Sequence, residues 1–242
     1  MLIFNFHHVE KNILHPERKH ITISPQGLSR FIRTLRLMGL TLVSMREVLK
    51  SSNPAGPQSN RQVLLTFDDG YVNNLTEALP VLEQEQCPAM VFVLPGRFSG
   101  TNEWDQGHLP ESERDQLMSI EQMKTLAASP YITLGSHGML HRPMTTLSDE
   151  ENRFEIHESH RILSEQFPDA YLPVFAYPWG ECDDRVVELM QDSPYQYAFT
   201  VETAQWKPDA HPFRVPRYSA YYRDGNPAIF MAKLFRHKLL FA

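Results

Sequence analysis

The chain has 242 residues, of which 42% are apolar, and its formal net charge is −6. A chain of this length and composition can bury one sizeable core, and the slight acidic excess argues against a surface that attracts nucleic acid or an anionic membrane. The two cysteines, Cys87 and Cys182, are too few for a disulfide framework and are not spaced as a CxxC metal site.

The N-terminal sequence predicts the location of the protein. MLIFNFHHVEKN lacks the basic start of a secretory signal, and two histidines interrupt its apolar run after six residues. No stretch of the chain has the length of a membrane span. We therefore predict a cytoplasmic protein with no membrane span, although export by another route and the oligomeric state stay open.

Apolar periodicity and capping residues predict that strands and helices alternate along the chain. In the first part of the chain we predict a strand at 2–6, a helix from Ser24-Pro25 to Gly39, a strand at 40–43 and a short helix capped by Ser44 and Glu47. A strand at 63–67, a helix to about Glu85 with Pro80 in its first turn, a strand at 89–94 and an insertion at 97–118 are predicted to follow. The remaining predicted elements are a helix capped by Ser119 and Gln122, a strand at 131–134, a helix from Ser148 to about Phe167, a strand at 172–177, a helix at 183–191 and a strand at 196–201. This alternation is typical of an α/β fold with a mainly parallel sheet, open or closed into a barrel.

The domain organisation is predicted to be simple, because no linker divides the chain. We predict a single domain over 1–242. It consists of an N-terminal strand and helix (1–60), a core that carries the motifs (61–202) and a C-terminal segment (203–242).

Three polar motifs directly follow predicted strands, at the end where parallel α/β folds place their sites. They are Asp68-Asp69, the pair His137 and His141, and Pro178-Trp179-Gly180. Each has an ordinary structural explanation by itself: a solvated turn, surface histidines and a tight turn. Their occurrence together, each at a strand end, favours a functional site.

The residue types in these motifs indicate metal chemistry. Two imidazoles and one carboxylate form a common catalytic metal site, and four-residue spacing places His137 and His141 on one face of a helical turn. One aspartate can complete this set, and the other is then free as a general base. Neighbouring strand residues point to opposite faces, so both aspartates reach one site only if the chain turns, which Gly70 permits.

The motifs TFDDG, SHGMLH and FAYPWG together resemble those of the polysaccharide deacetylase family, also called the NodB homology domain or carbohydrate esterase family 4. The N-terminal FHHV, followed by ISPQGLSRFIRTLRLMG, resembles a subgroup with a Tyr-His-x-Val-type motif. The resemblance implies a distorted (β/α)7-type barrel, a divalent metal that is usually Zn²⁺, with Co²⁺, Ni²⁺ or Fe²⁺ as alternatives, and hydrolysis of N-acetyl groups on amino sugars.

The resemblance also implies roles for individual residues, by matching motif. Asp68 would be the base, Asp69, His137 and His141 the metal ligands, the backbone N–H of Trp179 the oxyanion donor, and Tyr177 and Pro178 substrate contacts. The expected partner is an N-acetylated poly- or oligosaccharide or its precursor.

The chain departs from the family pattern in three places. Gly138 stands where a Ser or Thr usually braces the metal loop, and Ser136 is the candidate to compensate. The third motif lacks the arginine that orients the base, and either Arg214 or Arg217 is the candidate to replace it and to contact substrate. The late Leu-x-His that supplies the catalytic acid is absent, and His7, at the end of the first strand, is the candidate acid.

Other functions stay open at the level of sequence. The same metal site can hydrolyse an N-formyl group, a cyclic amide or an O-acetyl ester, because the pocket rim sets the substrate. The protein can also be a glycan-binding relative without activity. Trp104 and Trp206 are candidates to stack on sugar rings, with loop packing as the alternative.

Overall fold

The computed structural model describes residues 1–11, 16–51, 60–207 and 209–236. The strands of this part are β1 (Leu2–Phe6), β2 (His8–Val9), β3 (Thr22–Ile23), β4 (Thr41–Leu42), β5 (Gln62–Phe67), β6 (Ala89–Val93), β7 (Ile132–Ser136), β8 (Tyr171–Ala176), β9 (Tyr197–Phe199) and β10 (Tyr218–Ser219). Its α-helices are α1 (Pro25–Leu37), α2 (Met45–Lys50), α3 (Leu79–Gln84), α4 (Glu103–Gln106), α5 (Ile120–Ala127), α6 (Asp149–Gln166), α7 (Asp184–Gln191) and α8 (Pro227–Arg236). The predicted alternation of strands and helices is confirmed.

The main sheet is parallel and curls into a barrel. Its strands run in the order β10-β1-β5-β6-β7-β8-β9, and β4 pairs with the first residues of β5. The two edges of this order meet in the segment 215–219, because Val215 bridges to Phe199 of β9 while Tyr218 pairs with Phe4 of β1. Arg217 lies between these two pairings, at the seam of the barrel.

The helix starts follow from local capping, as predicted. Ser44, Ser119 and Ser148 precede α2, α5 and α6, and each forms a complete capping box with the Glu or Gln three residues later. Ser24 caps α1 through a bond from the Gly27 N–H to its hydroxyl oxygen. These bonds satisfy N–H groups that have no partner within the helix, so the sequence defines the starts of the helices.

The helix after β5 differs from its prediction. Pro80 does occupy the first turn of α3, but the chain is already helical before it, with a π-helical turn at Asn74–Ala78. Pro80 therefore lies in the first turn of α3, as predicted, although helical backbone already precedes that turn. A π-turn rearranges the hydrogen-bond pattern locally, which accommodates a residue that has no N–H and crowds the preceding turn.

Alternation along β5 decides what faces the barrel interior. Val63, Leu65 and Phe67 belong to the large cluster between the sheet and the helices, whereas Leu64 belongs to a second cluster inside the barrel. Asp68 follows Leu64 by four residues, so its side chain points to the same face of the sheet as Leu64 and its carboxylate lies at the mouth of the barrel interior.

Among the described residues, no helix is both long and apolar enough to cross a lipid bilayer.

Candidate metal centre and active site

The turn after β5 brings two adjacent carboxylates to the same mouth. Asp69 and Gly70 both have a φ of 73°, in the left-handed region that non-glycine residues seldom occupy. The predicted turn is present, and it begins one residue earlier than Gly70. Both aspartates are almost fully buried, at 2% and 4% exposure. The chain therefore places two buried carboxylates side by side, an arrangement that calls for compensating positive charge.

The two histidines lie on a loop, and the prediction that they share a face of a helical turn is wrong. β7 ends at Ser136, and no helical turn follows until Met144. Gly138 and His141 have φ values of 79° and 60°, so the loop folds back on itself. Two side chains four residues apart can be brought together by a helical turn or by a folded loop. Here the loop brings them together, because Gly138 and His141 have left-handed backbone conformations.

Three side chains converge at this point. The Nε2 atoms of His137 and His141 lie 3.4 and 3.3 Å from Oδ1 of Asp69. His137 Nδ1 lies 2.8 Å from the carbonyl oxygen of Ala176, which requires a proton on Nδ1 and leaves the Nε2 lone pair free to face Asp69. All three side chains are buried.

This arrangement fits a divalent cation. Within the described residues, Asp69 Oδ1 accepts no hydrogen bond, although it is buried. Burial opposes the charged form of His137, yet Asp68 and Asp69 raise its pKa above the ordinary value, so the site attracts positive charge. Two imidazole nitrogens and one carboxylate oxygen that leave coordination positions open are a common catalytic donor set. Asp69, His137 and His141 therefore have the composition and spacing of a candidate metal site.

Arg217 is the residue that holds Asp68. Its Nη1 and Nη2 donate to Oδ1 and Oδ2 of Asp68 at 2.8 and 2.9 Å, and its Nε donates to the Thr200 carbonyl oxygen at 2.9 Å. Burial alone would raise the pKa of Asp68, but the Arg217 guanidinium and the nearby imidazoles outweigh it, so the pKa lies below its usual value. Asp68 is therefore ionised at neutral pH and fixed in orientation.

The four residues predicted as substrate contacts are not among those that line the cavity, so their contact with substrate stays a prediction. Tyr177 is fully buried and its hydroxyl donates to the Phe213 carbonyl oxygen, while Pro178 is buried beside it. Arg214 pairs instead with Asp184 at the surface, at 2.5 Å. Arg217 is fully buried against Asp68. A strand end brings residues to the mouth of the barrel, but neighbouring side chains there still alternate between cavity and core.

The turn at Pro178–Gly180 presents its backbone to the cavity. Trp179 has a φ of 63°, which is strained for a residue with a Cβ. The Gly180 N–H bonds to the Tyr177 carbonyl oxygen, whereas the N–H of Trp179 has no bonded partner among the described residues. The Trp179 side chain is 45% exposed. A free N–H at this place is suitable as an oxyanion donor.

His7 and His8 face opposite sides of the chain, as neighbouring residues of an extended segment do. His7 is partly buried and lines the cavity with Asp68 and Asp69. His8 is fully buried and stacks on Tyr71, and burial lowers its pKa to about 3. Burial also lowers the pKa of His7, against the opposing effect of the two aspartates. Of His7 and His8, His7 is therefore the one positioned to exchange a proton with a ligand.

The cavity above the metal site has a volume of about 450 Å³, and the insertion at 97–118 forms much of its wall. Trp104 stacks on the His141 ring at 4.3 Å, whereas Trp206 is buried against Tyr197 on the inner cluster. Sequence reasoning missed several wall residues, which are Arg18, His20, Ile21, Asn102, Asp105, Gln106, His108, Leu109 and Val201. Trp104 was the one signal of this wall, because the other wall residues belong to no motif.

Comparison with known proteins gives one family. The sequence profile of the polysaccharide deacetylase family matches residues 55–198. The chain is 28% identical over 144 residues to the YxkH protein of Bacillus subtilis (strain 168), an alignment that covers 60% of this chain and 46% of that protein. It is 23% identical over 201 residues to the poly-beta-1,6-N-acetyl-D-glucosamine N-deacetylase of Staphylococcus epidermidis (strain RP62A), covering 83% of this chain and 68% of that enzyme. The chain thus spans about half the length of the first relative and two thirds of the second.

The fold has a close counterpart among solved structures. The Streptococcus pyogenes deacetylase PplD, in complex with acetate, superposes with a TM-score of 0.75 at 19% identity, over 96% of both chains. At this level of identity the similarity concerns the fold. It confirms the predicted distorted (β/α) barrel.

Proposed function

Since this chain belongs to the polysaccharide deacetylase family, we propose that it hydrolyses N-acetyl groups on the amino sugars of a polysaccharide in a metal-dependent reaction. One observation carries this proposal: the Asp69, His137 and His141 cluster opens into a cavity beside a carboxylate, Asp68, that Arg217 holds ionised. A site that only bound glycan would gain nothing from this second buried carboxylate.

Zn²⁺ is the proposed metal, because nitrogen and carboxylate ligands in a site with open positions suit it, and Co²⁺, Ni²⁺ and Fe²⁺ are alternatives. Asp69, His137 and His141 would hold the ion. When bound, such an ion acts as a Lewis acid that polarises a carbonyl oxygen and lowers the pKa of water.

The residues of the chain supply the proton transfers and the orientation. Asp68 is the proposed base: each of its oxygens accepts a hydrogen bond from Arg217 and keeps a lone pair for the proton of the attacking water. The N–H of Trp179 is the proposed donor to the oxyanion that forms on the acetyl carbonyl. His7, which lines the same cavity, is the proposed proton donor to the leaving amine.

The shape of the site favours a polymer over a single sugar. A second, more open cavity of about 570 Å³ shares Trp104, His141 and Trp179 with the first. The two cavities adjoin at these three residues, so a substrate longer than one sugar can contact both. A β-1,6-linked N-acetylglucosamine polymer is the proposed first substrate, because the S. epidermidis relative carries that name.

Metal removal is expected to abolish acetate release from N-acetylglucosamine oligomers, and added Zn²⁺ or Co²⁺ is expected to restore it. The assay compares β-1,6- and β-1,4-linked oligomers of one to six sugars, with chelator and with each metal. We expect the specificity constant kcat/KM to rise with oligomer length, because longer chains occupy both cavities.

The assay also separates the competing functions. A protein that binds metal and releases no acetate, but hydrolyses N-formyl, cyclic-amide or O-acetyl substrates, would show that the substrate class is wrong. A protein that binds oligomers without any hydrolysis would be a glycan-binding relative.

The cytoplasmic location stays a prediction from the N-terminal sequence.

His7→Gln is expected to lower kcat by about 10²–10⁴-fold, the usual range for a general acid or base. Glutamine keeps a polar side chain of similar reach but cannot deliver a proton to the amine. Metal content is expected to stay at the wild-type value, because the proposed ligand atoms belong to Asp69, His137 and His141 and not to His7. Unchanged turnover would remove His7 from the mechanism.

A further inference from the structure

The loop between the two metal-ligand histidines is held by a single carboxylate. Oε2 of Glu155 accepts hydrogen bonds from the N–H groups of Met139 and Leu140, at 2.6 and 3.0 Å. These are two of the three N–H groups that lie between His137 and His141. An irregular loop has no helix or sheet bonds to define its shape, so these side-chain bonds define it.

The third N–H group and the start of the loop are bonded as well. The Gly138 N–H donates to the Ser136 hydroxyl at 3.1 Å, so Ser136 does provide the brace that the sequence suggested. The His137 N–H donates to the carbonyl oxygen of Val93 in β6, at 2.9 Å. Glu155 therefore holds the part of the loop at Met139 and Leu140, directly before His141, whereas Ser136 bonds only to the Gly138 N–H in this loop.

Glu155 is itself rigidly placed. It lies in α6, it is 1% exposed, and its Oε1 accepts a hydrogen bond from Nε of Arg142 at 2.9 Å. A buried carboxylate is costly unless its oxygens are bonded, and here the backbone N–H groups and Arg142 satisfy both oxygens. One end of the loop thus connects to a long helix through a fixed group.

Gly138 and Glu155 are complementary in space. Gly138 has a φ of 79°, and a Cβ built on it would lie 3.0 Å from Oε2 of Glu155. A side chain at this position would press on the carboxylate that holds the loop. The glycine that departs from the family pattern therefore coincides with a carboxylate that takes over the bracing of the loop.

We propose that Glu155 is a positioning residue of the metal centre, and that its carboxylate sets the direction of the His141 imidazole toward Asp69. The proposal rests on the proposed function only through the metal site. Loss of the carboxylate frees two backbone N–H groups, so the loop can relax and the three ligand atoms no longer converge within one coordination sphere.

The test measures metal affinity rather than activity. Glu155→Ala and Glu155→Gln are compared with the wild type by titration of Zn²⁺ against a competing chelator and by the visible spectrum of the Co²⁺-loaded protein. Glu155→Ala is expected to weaken Zn²⁺ binding by about 10–100-fold, the usual effect of losing a group that orients metal ligands. Glu155→Gln is expected to lie between, because its amide oxygen still accepts from the loop while its NH₂ faces the Arg142 donor.

Glu151→Gln is the matched control. Glu151 is on the same helix, also pairs with Arg142, and does not touch the loop. Glutamine preserves the capping box with Ser148, so α6 keeps its start. We expect this variant to bind Zn²⁺ within about twofold of the wild type, as is usual for a surface substitution.

Two results would overturn the proposal. The first is a folded Glu155→Ala protein with wild-type Zn²⁺ affinity and an unchanged Co²⁺ spectrum. If that variant does not fold, Glu155→Gln decides: affinity equal to that of Glu151→Gln would reject the role. A wild type that binds Zn²⁺ but releases no acetate would contradict the proposed function and leave this comparison intact, whereas a wild type that binds no metal would contradict both.

Discussion

Replacing Asp68 with asparagine is expected to lower acetate release by about 10²–10⁴-fold, the usual contribution of a general base, while the protein keeps its metal ion. Asparagine has nearly the same shape but cannot accept the proton of the attacking water. The side chain of Asp68 bonds to Arg217 and is not one of the converging ligand atoms. Initial rates of acetate release and metal content by elemental analysis measure the two effects separately.

Asp69→Asn is the matched variant, because it makes the same chemical change at the neighbouring residue. It is expected to lose both metal and activity, since Oδ1 of Asp69 is the atom on which His137 and His141 converge. If Asp68→Asn also lost its metal, Asp68 would be a ligand rather than the base. If Asp68→Asn kept its rate, another group would be the base.

Arg217→Met is expected to lower the free energy of unfolding by about 3–5 kcal/mol, the usual loss when one partner of a buried ion pair is removed. Arg217 is fully buried and forms a two-point ion pair with Asp68, whose carboxylate would remain inside the barrel without a partner. The guanidinium also lies 5.4 Å from the Phe92 ring centroid, in cation–π contact. Chemical denaturation of the metal-free proteins measures the difference.

A double variant separates the ion pair from simple packing. Arg217→Met combined with Asp68→Asn leaves no uncompensated charge, so it is expected to be more stable than Arg217→Met alone. Arg217→Lys is expected to be destabilised less than Arg217→Met, because an ammonium keeps the charge but cannot make both bonds. A double variant no more stable than Arg217→Met would show that packing, rather than the charge pair, sets the stability of the seam.

The role of Arg217 illustrates how far sequence reasoning extends. The absence of an arginine in the third motif was visible, and two later arginines were candidates. Only the barrel closure chose between them: the seam at 215–219 directs Arg217 inward, whereas Arg214, three residues earlier, points outward to Asp184. No periodicity over so short a segment predicts which side chain enters the barrel.

The substrate contacts illustrate the opposite outcome. Tyr177 and Pro178 follow a strand and match a motif, yet both are packed into the protein. The residues that line the cavity come largely from the 97–118 insertion and from the segment around Arg18. These segments contain short helical turns, and their side chains meet the site through long-range packing.

The alternation of strands and helices, the capped helix starts and the residues at the strand ends could all be predicted from the sequence. These features depend on local chemistry. They are the period at which apolar residues recur, the serine residues that cap the helices, and the alternation of side chains along β5 that directs Asp68 to the same face as Leu64. The family resemblance followed from motifs of this local kind.

How those residues act together depends on tertiary packing. The histidine pair lies on a loop in which Gly138 and His141 have positive φ, and not on the expected helical turn. Glu155 packs against that loop, and Arg217 packs against Asp68. Both carboxylate contacts join residues from different elements of the chain, 149 positions apart for Arg217 and Asp68. Contacts of this kind depend on how the barrel closes and packs, a global property that local propensities do not contain.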